Sequence, residues 1–223
     1  MALAGDLIDE ARDYHPSFTR ERFPPRMLLR RLQRAEHDLF VLVAGLEPEL
    51  LAKEEAFGRE EIRTALENRT PLELPPYLQI TSARAFYEPV SGIRESLPVR
   101  LLETSQSLSR VAPFPSATPV APGLLLTDLR DAGARRSGWE EIGNIQVRYV
   151  PVPPPLQDLR SPLSAPDFMD DALVGDLVTF MALRGGVEDM DLRSAAARAR
   201  EALITQLSVH GQATTWHVEP AWP

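Results

Sequence analysis

Cysteine is missing from all 223 residues. Its absence excludes disulfides, thiolate nucleophiles, cysteine zinc sites and iron–sulfur clusters together. Long apolar runs are missing too: nothing approaches the roughly 18 residues that a membrane-spanning helix needs. None of the patterns G-x-x-x-x-G-K-[ST], G-x-G-x-x-G or G-x-S-x-G occurs, so no phosphate-cradling loop or nucleophile elbow is visible. Lysine and asparagine are nearly missing: of 24 basic residues only Lys53 is lysine, and the asparagines are Asn68 and Asn144. A GC-rich genome produces such a bias. Selection at high temperature is the alternative, although lysine depletion is not the usual thermophile signal. Histidine is sparse, and His15, His37, His210 and His217 have no zinc-site spacing, so they read as solvated or capping residues.

What remains is globular. Hydrophobic residues make up 43%, charged residues 25%, and the net charge is −8, a balance that supports a core rather than disorder. The acidic excess opposes general affinity for nucleic acid but leaves room for a local basic patch. The first residues, MALAGDLIDEARDY, are acidic and amphipathic without a basic leader region, which reads as an intracellular, soluble product without a secretory signal.

Periodicity predicts helices at both ends. Leu3, Leu7, Ile8 and Ala11 share one face of a short helix ending at His15-Pro16. Pro24-Pro25 suits the start of a second helix, whose Leu28, Leu32, Ala35, Leu39, Leu42 and Leu46 form a stripe widened by Leu29, Phe40 and Val43. PELLAKEEAF predicts two or three further turns, and REEIRTALENR another short helix. From Pro71 the pattern changes to about four strands: PPYLQITSARAFYE, SLPVRLLET, GLLLTDLRD and WEEIGNIQVRYVPV. A stiff segment, VPVPPPLQDLRSPLSAPDF, carries six prolines and can be neither helix nor central strand. Helix resumes with Asp167 as N-cap and Asp170 and Asp171 in the first turn. Its apolar face is Ala172, Leu173, Leu177, Phe180 and Met181, and Gly185-Gly186 ends it. A last helix buries Met190, Ala197, Ala202, Leu203 and Leu207.

The predicted fold is therefore mainly α: a helical bundle of about four main helices with a small inserted antiparallel β region and long proline-rich arms. Its parts are residues 1–70 and 167–209 as the bundle, 71–152 as the β insert, 153–166 as the arm and 210–223 as an irregular tail. Leu28, Leu32 and Leu39 are expected to pack against Leu173, Leu177 and Phe180.

Chemistry is hard to find. The acidic groups Asp6/Asp9/Glu10/Asp13, Glu54/Glu55, Glu60/Glu61 and Asp167/Asp170/Asp171 could supply paired carboxylates, but solvated helix faces and dipole-favoured first turns explain them better. No nucleophile–base pair accompanies them, so the reading is non-enzymatic, with no cofactor and no metal. Arg26, Arg30, Arg31 and Arg34 line one side of the second helix. They would pair with the acidic first helix or a neighbouring subunit, in preference to nucleic acid. The tail places Trp216 and Trp222, with Val218 between them, where a terminus normally frays. Indoles there serve either partner binding or self-docking.

Three stretches carry a resemblance. Gly5–Phe40 is similar to the opening helix pair of the head-to-tail adaptor (connector or neck) proteins of tailed bacteriophages. Ile145–Leu183 resembles their return from a β region through a proline-rich arm into the third helix. Val187–Ile204 resembles their last helix. The resemblance implies a structural virion protein, made in the bacterial host cytoplasm and located in the neck. It implies a homo-oligomeric ring, typically of twelve copies, under the portal. Its partners would be the portal protein and the tail or next neck protein, with double-stranded DNA passing through without sequence-specific binding and no membrane involved. On this reading Trp216, Val218 and Trp222 reach the portal, and Pro153, Pro154, Pro155, Arg30 and Arg34 lie between subunits. The alternatives are another neck or tail-completion protein, or a soluble binding module using the Arg26–Arg34 helix.

Overall fold

The computed structural model describes residues 2–87, 96–102, 115–127, 139 and 142–214, with side chains through Val209. The chain forms two compact units. One joins Met1–Leu51 to Val152–Pro223, and the other is Ala52–Pro151.

The discontinuous unit is helical. It holds α1 (Ala4–Asp13), α2 (Pro25–Leu46), α4 (Asp170–Gly185), α5 (Met190–Arg193) and α6 (Ala195–Thr214), with 3-10 turns at Pro48–Leu50 and Asp167–Met169. Pro25 stands at the first helical position of α2, where a missing N–H loses nothing. Helix α4 is central. Its buried residues run from Ala172 to Val178 without a break and include Met181 and Ala182, the pattern of a helix covered on all sides. It contacts α1, α2, α5 and α6. Leu28, Leu32 and Leu39 of α2 and Leu173 and Leu177 of α4 are fully buried, each removal from water stabilising by about 1.5–3 kcal/mol. A Cβ on Gly175 would lie 3.0 Å from the Ala195 carbonyl oxygen and 3.1 Å from Ala199 Cβ, so glycine lets α6 lie close against α4. Helix α4 ends at Gly186 with φ 65°.

Several local expectations shift. Asp167 opens a 3-10 turn instead of capping α4, whose N-cap position, Met169, makes no side-chain hydrogen bond. The last helix breaks at Ser194, whose hydroxyl bonds to the Met190 and Asp191 carbonyls. The break resets the register: Leu203 and Leu207 are buried, whereas Met190, Ala197 and Ala202 are exposed. Residues 210–214, expected to begin the irregular tail, continue α6. Phe180 is half-buried rather than in the core.

The second unit holds β1 (Lys53–Gly58), α3 (Arg59–Asn68), β2 (Leu72–Glu73), β3 (Tyr77–Tyr87), β4 (Ser96–Pro98), β5 (Arg100–Leu101), β6 (Ser116–Val120), β7 (Gly123–Leu126) and β8 (Ile142–Pro151). Two four-stranded sheets form, ordered β1-β8-β3-β4 and β2-β7-β6-β5. Among the described residues all pairings are antiparallel except β5 with β6, which is parallel. On β8, Ile145, Val147 and Tyr149 alternate inward, the period of a strand with one buried face. They meet Ala83 and Ala85 of β3, Ile62 and Ala65 of α3, Leu124 and Leu126 of β7, and Trp139 in one core. The Trp139 indole N–H donates to the Thr127 carbonyl at 2.9 Å.

A mainly helical bundle with a small β region is thus not what forms. Among the described residues there are six helices and eight strands in two sheets, 48% helical and 25% strand, a mixed α/β protein. The reasons are local. PELLAKEEAF, expected as helix, becomes a 3-10 turn and β1, because pairing with β8 outweighs the helix propensity of Lys53, Glu54 and Glu55. Those charges sit on an edge strand, where they block further pairing. Strands β2, β4 and β5 are too short to show a period.

Candidate functional site

Helix α2 turns one face to the core and the opposite face outward. At 100° per residue, Arg26, Arg30 and Arg34 fall within one quadrant, opposite Leu28, Leu32, Ala35 and Leu39. All three arginines are exposed, and among the described residues none has an ion-pair partner. They span about 12 Å along the helix.

Arg31, one step round, faces α4. Its Nε and Nη2 donate to Asp176 Oδ2 and Oδ1 at 2.5 and 2.6 Å, a bidentate fork. Arg200 of α6 adds a second guanidinium, Nη2 to Oδ1 at 3.6 Å. The Asp176 side chain is 3% exposed. The Arg31 guanidinium also lies 5.7 Å from the Phe180 ring centroid, and that of Arg184, an exposed residue, 5.9 Å, both within cation–π range. Phe180 is therefore a half-buried aromatic floor bordered by cations. Together with Pro24 and Met27 these residues line a shallow, open shelf. Arg22 donates to the Gly185 carbonyl, tying the approach to α2 to the end of α4.

The opposite charge gathers along α1 and at the start of α4. Asp6, Glu10 and Asp13 share the outward face of α1, are exposed, and have no ion-pair partner among the described residues. Asp9 is the paired member, to Arg12 at 2.7 Å and Arg20 at 3.4 Å. The acidic first helix therefore does not neutralise the arginine row; Arg31 alone in that row finds a carboxylate, and it lies on α4. The Asp170 carboxyl is pushed above the usual range by burial first, and then by the neighbouring charges of Asp167, Glu10 and Asp171. Its Oδ1 has no hydrogen-bond partner.

Glu36 is a site residue that sequence reasoning missed. It is fully buried on α2, and its Oε1 accepts the N–H groups of Ser164 at 2.7 Å and Ala165 at 3.0 Å. Burial raises its pKa, and the two N–H groups partly offset the rise. The available signal was its place beside Ala35 and Leu39, inside the apolar stripe.

The proline segment docks on the same unit. Ala4 N–H donates to the Ser161 carbonyl at 3.0 Å, Gly5 N–H to Leu159 at 2.8 Å, and Leu163 N–H to Ala2 at 3.1 Å. Helix α1 lacks a side-chain cap, so these carbonyls satisfy N–H groups that a helix start leaves open. A Cβ on Gly5 would sit 2.9 Å from the Leu159 oxygen; only glycine admits this approach without a shift. Residues 159–165 are thus not a projecting arm. Pro153 is buried, and Pro154 and Pro155 are exposed.

His15 follows Tyr14, the C-cap of α1, with its Nδ1 2.7 Å from Ser17 Oγ, and His37 is exposed. Among the described residues no three His, Cys, Asp or Glu side chains gather as a metal site, and no helix is long and apolar enough to cross a membrane. Trp216, Val218 and Trp222 lie outside the described residues, as do His217 and the side chain of His210. No protein-family model matches the chain, and no curated protein matches it.

Proposed function

We propose that the chain is a structural protein of a tailed bacteriophage: a head-to-tail adaptor that forms a ring under the portal, extends the DNA channel and receives the tail or the next neck protein. The observation that carries this reading is how the two ends of the chain make one helical unit. The stretches 5–40 and 187–204, and most of 145–183, which resemble adaptor proteins, are the ones that build it. The proline-rich return lands on the first turn of α1. A ring also needs faces that the fold leaves unused, and the shelf of Arg30 and Arg34 is one; Pro154 and Pro155 offer another. The tail beyond α6 is the portal-docking arm, its two indoles acting as anchors repeated around the ring by avidity. The function asks for no catalysis and no cofactor, and the acidic balance suits a channel through which DNA slides.

Joining of heads and tails tests this. Particles assembled without the chain should accumulate as filled heads and separate tails, and adding the purified protein should join them. A chain truncated after Thr214 should melt like the full chain yet fail to join heads. Normal joining in the complete absence of the chain would refute the reading. The unpaired Arg26, Arg30 and Arg34 favour a second reading, a binding module for nucleic acid. That reading requires duplex binding that weakens steeply with salt.

A further inference from the structure

We infer that the arginine shelf of α2 and α4 docks the acidic pole of a second copy of this chain, formed by α1 and the start of α4, in a head-to-tail contact. The inference deepens the adaptor reading and rests on it for the closed ring. Its physical basis is an imbalance within one copy. Arg26, Arg30 and Arg34 stand at i, i+4 intervals, and so do Asp6 and Glu10, with Asp13 three residues further on. Like charges at these intervals repel by about 0.2–0.5 kcal/mol per pair, and no ion pair among the described residues relieves either row.

Within one copy no ion pair among the described residues joins the two rows. Asp170 and Asp171 begin α4, whereas Phe180 and Arg184 lie nearer its end, about 14–21 Å away at 1.5 Å per residue. A second copy brings them together. The rows match in length, about 12 Å of arginines against about 10 Å of carboxylates. Each side adds an aromatic ring: half-buried Phe180 within the shelf, and Tyr14, 54% exposed, on the same face as Glu10 and Asp13. A guanidinium placed over the tyrosine ring would gain cation–π attraction. Because the patches differ, each copy gives one face and accepts the other, and such a heterologous contact closes into a ring or runs on as a filament. Nucleic acid fits less well: the shelf holds four arginines without an ion-pair partner among the described residues, and the same unit carries the acidic pole that would repel phosphates.

Sedimentation velocity of the full chain across a concentration series tests the contact. Three proteins are compared at low and high salt: wild type, Arg26→Glu/Arg30→Glu/Arg34→Glu, and Asp6→Arg/Glu10→Arg/Asp13→Arg. None of the six positions is in the core, and circular dichroism checks that each variant folds. Wild type should associate at low salt and weaken as salt screens the charges. Each variant alone should associate at least roughly a hundredfold more weakly. An equal mixture of the two variants should recover association, because each then meets opposite charge on both faces. The chain has no cysteine, so no native thiol competes, and Glu10→Cys and Arg30→Cys proteins, mixed and oxidised, should yield the mixed disulfide dimer in clear excess over either homodimer. The inference is overturned by a wild type that stays monomeric at every concentration in low salt, by variants that associate like wild type, or by a mixture that recovers nothing. It is also overturned if the arginine variant loses duplex-DNA binding while self-association is unchanged. The joining assay is separate: if the reversed chains still join heads to tails, this contact falls and the adaptor reading stands. If heads join with no chain present, the adaptor reading falls whatever the sedimentation result.

Discussion

The Arg31–Asp176 pair makes a prediction whose sign depends on which partner is removed. Asp176 is 3% exposed, whereas the Arg31 side chain is 31% exposed and that of Arg200 38%. Replacing Arg31 with methionine leaves a buried carboxylate that keeps only the longer 3.6 Å contact to Arg200. Breaking a buried pair this way costs about 3–5 kcal/mol, and the remaining Arg200 places Arg31→Met near the lower end. Replacing Asp176 with leucine is milder, because both guanidinium groups can turn toward water. It loses charge-assisted hydrogen bonds worth about 1.5–3 kcal/mol and regains a similar amount from burying an apolar side chain. Asp176→Leu should therefore stay within about 1.5 kcal/mol of wild type. The double variant should be more stable than Arg31→Met alone, since no buried charge is left. Denaturant unfolding followed by circular dichroism measures all four proteins, with unchanged slopes required for the comparison. The reasoning is refuted if Asp176→Leu costs more than Arg31→Met, or if the two single changes add within about 0.5 kcal/mol.

Leu32→Ala should cost roughly 2–5 kcal/mol because the site is fully buried; a change within about 0.5 kcal/mol, the surface range, would misplace the core face. Gly5→Val should push residues 159–163 off α1, since even a Cβ lies 2.9 Å from the Leu159 oxygen, and limited proteolysis should then cut that segment faster than in wild type. Glu36 is an acid with a raised folded-state pKa, so the folded state binds its proton more readily than the unfolded chain does. Stability from this group is present below its unfolded pKa and lost as pH rises through the higher folded value. Glu36→Gln should flatten that part of the stability–pH curve, and an unchanged curve would assign the dependence to another group.

Helices α1 and α2 were legible because their buried faces repeat at helical spacing, and α4 because a long apolar run ends at Gly186; Pro25 and Gly186 mark ends that backbone geometry favours. Strand β1 was not, since Lys53, Glu54 and Glu55 are helix formers locally and become strand by pairing with distant β8. Helix α3 was seen as a helix but grouped with the N-terminal bundle; Ile62 and Ala65 instead complete the core of the β unit, a choice that only tertiary contacts make. The break at Ser194 turned Met190, Ala197 and Ala202 outward against the period drawn across it. At the candidate site, the arginine row was visible from its spacing. The partner of Arg31 was not, because Asp176 sits within the otherwise apolar stretch 172–178 and its role depends on three helices meeting there.

An image reconstruction of the neck in filled particles tests the central proposal most directly. The account predicts copies of the helical unit in a closed ring between portal and tail, with the acidic pole of each copy against the arginine shelf of the next and the residues beyond Thr214 reaching toward the portal. A neck whose ring is built from another protein, with this chain elsewhere in the particle or missing from it, would contradict the account.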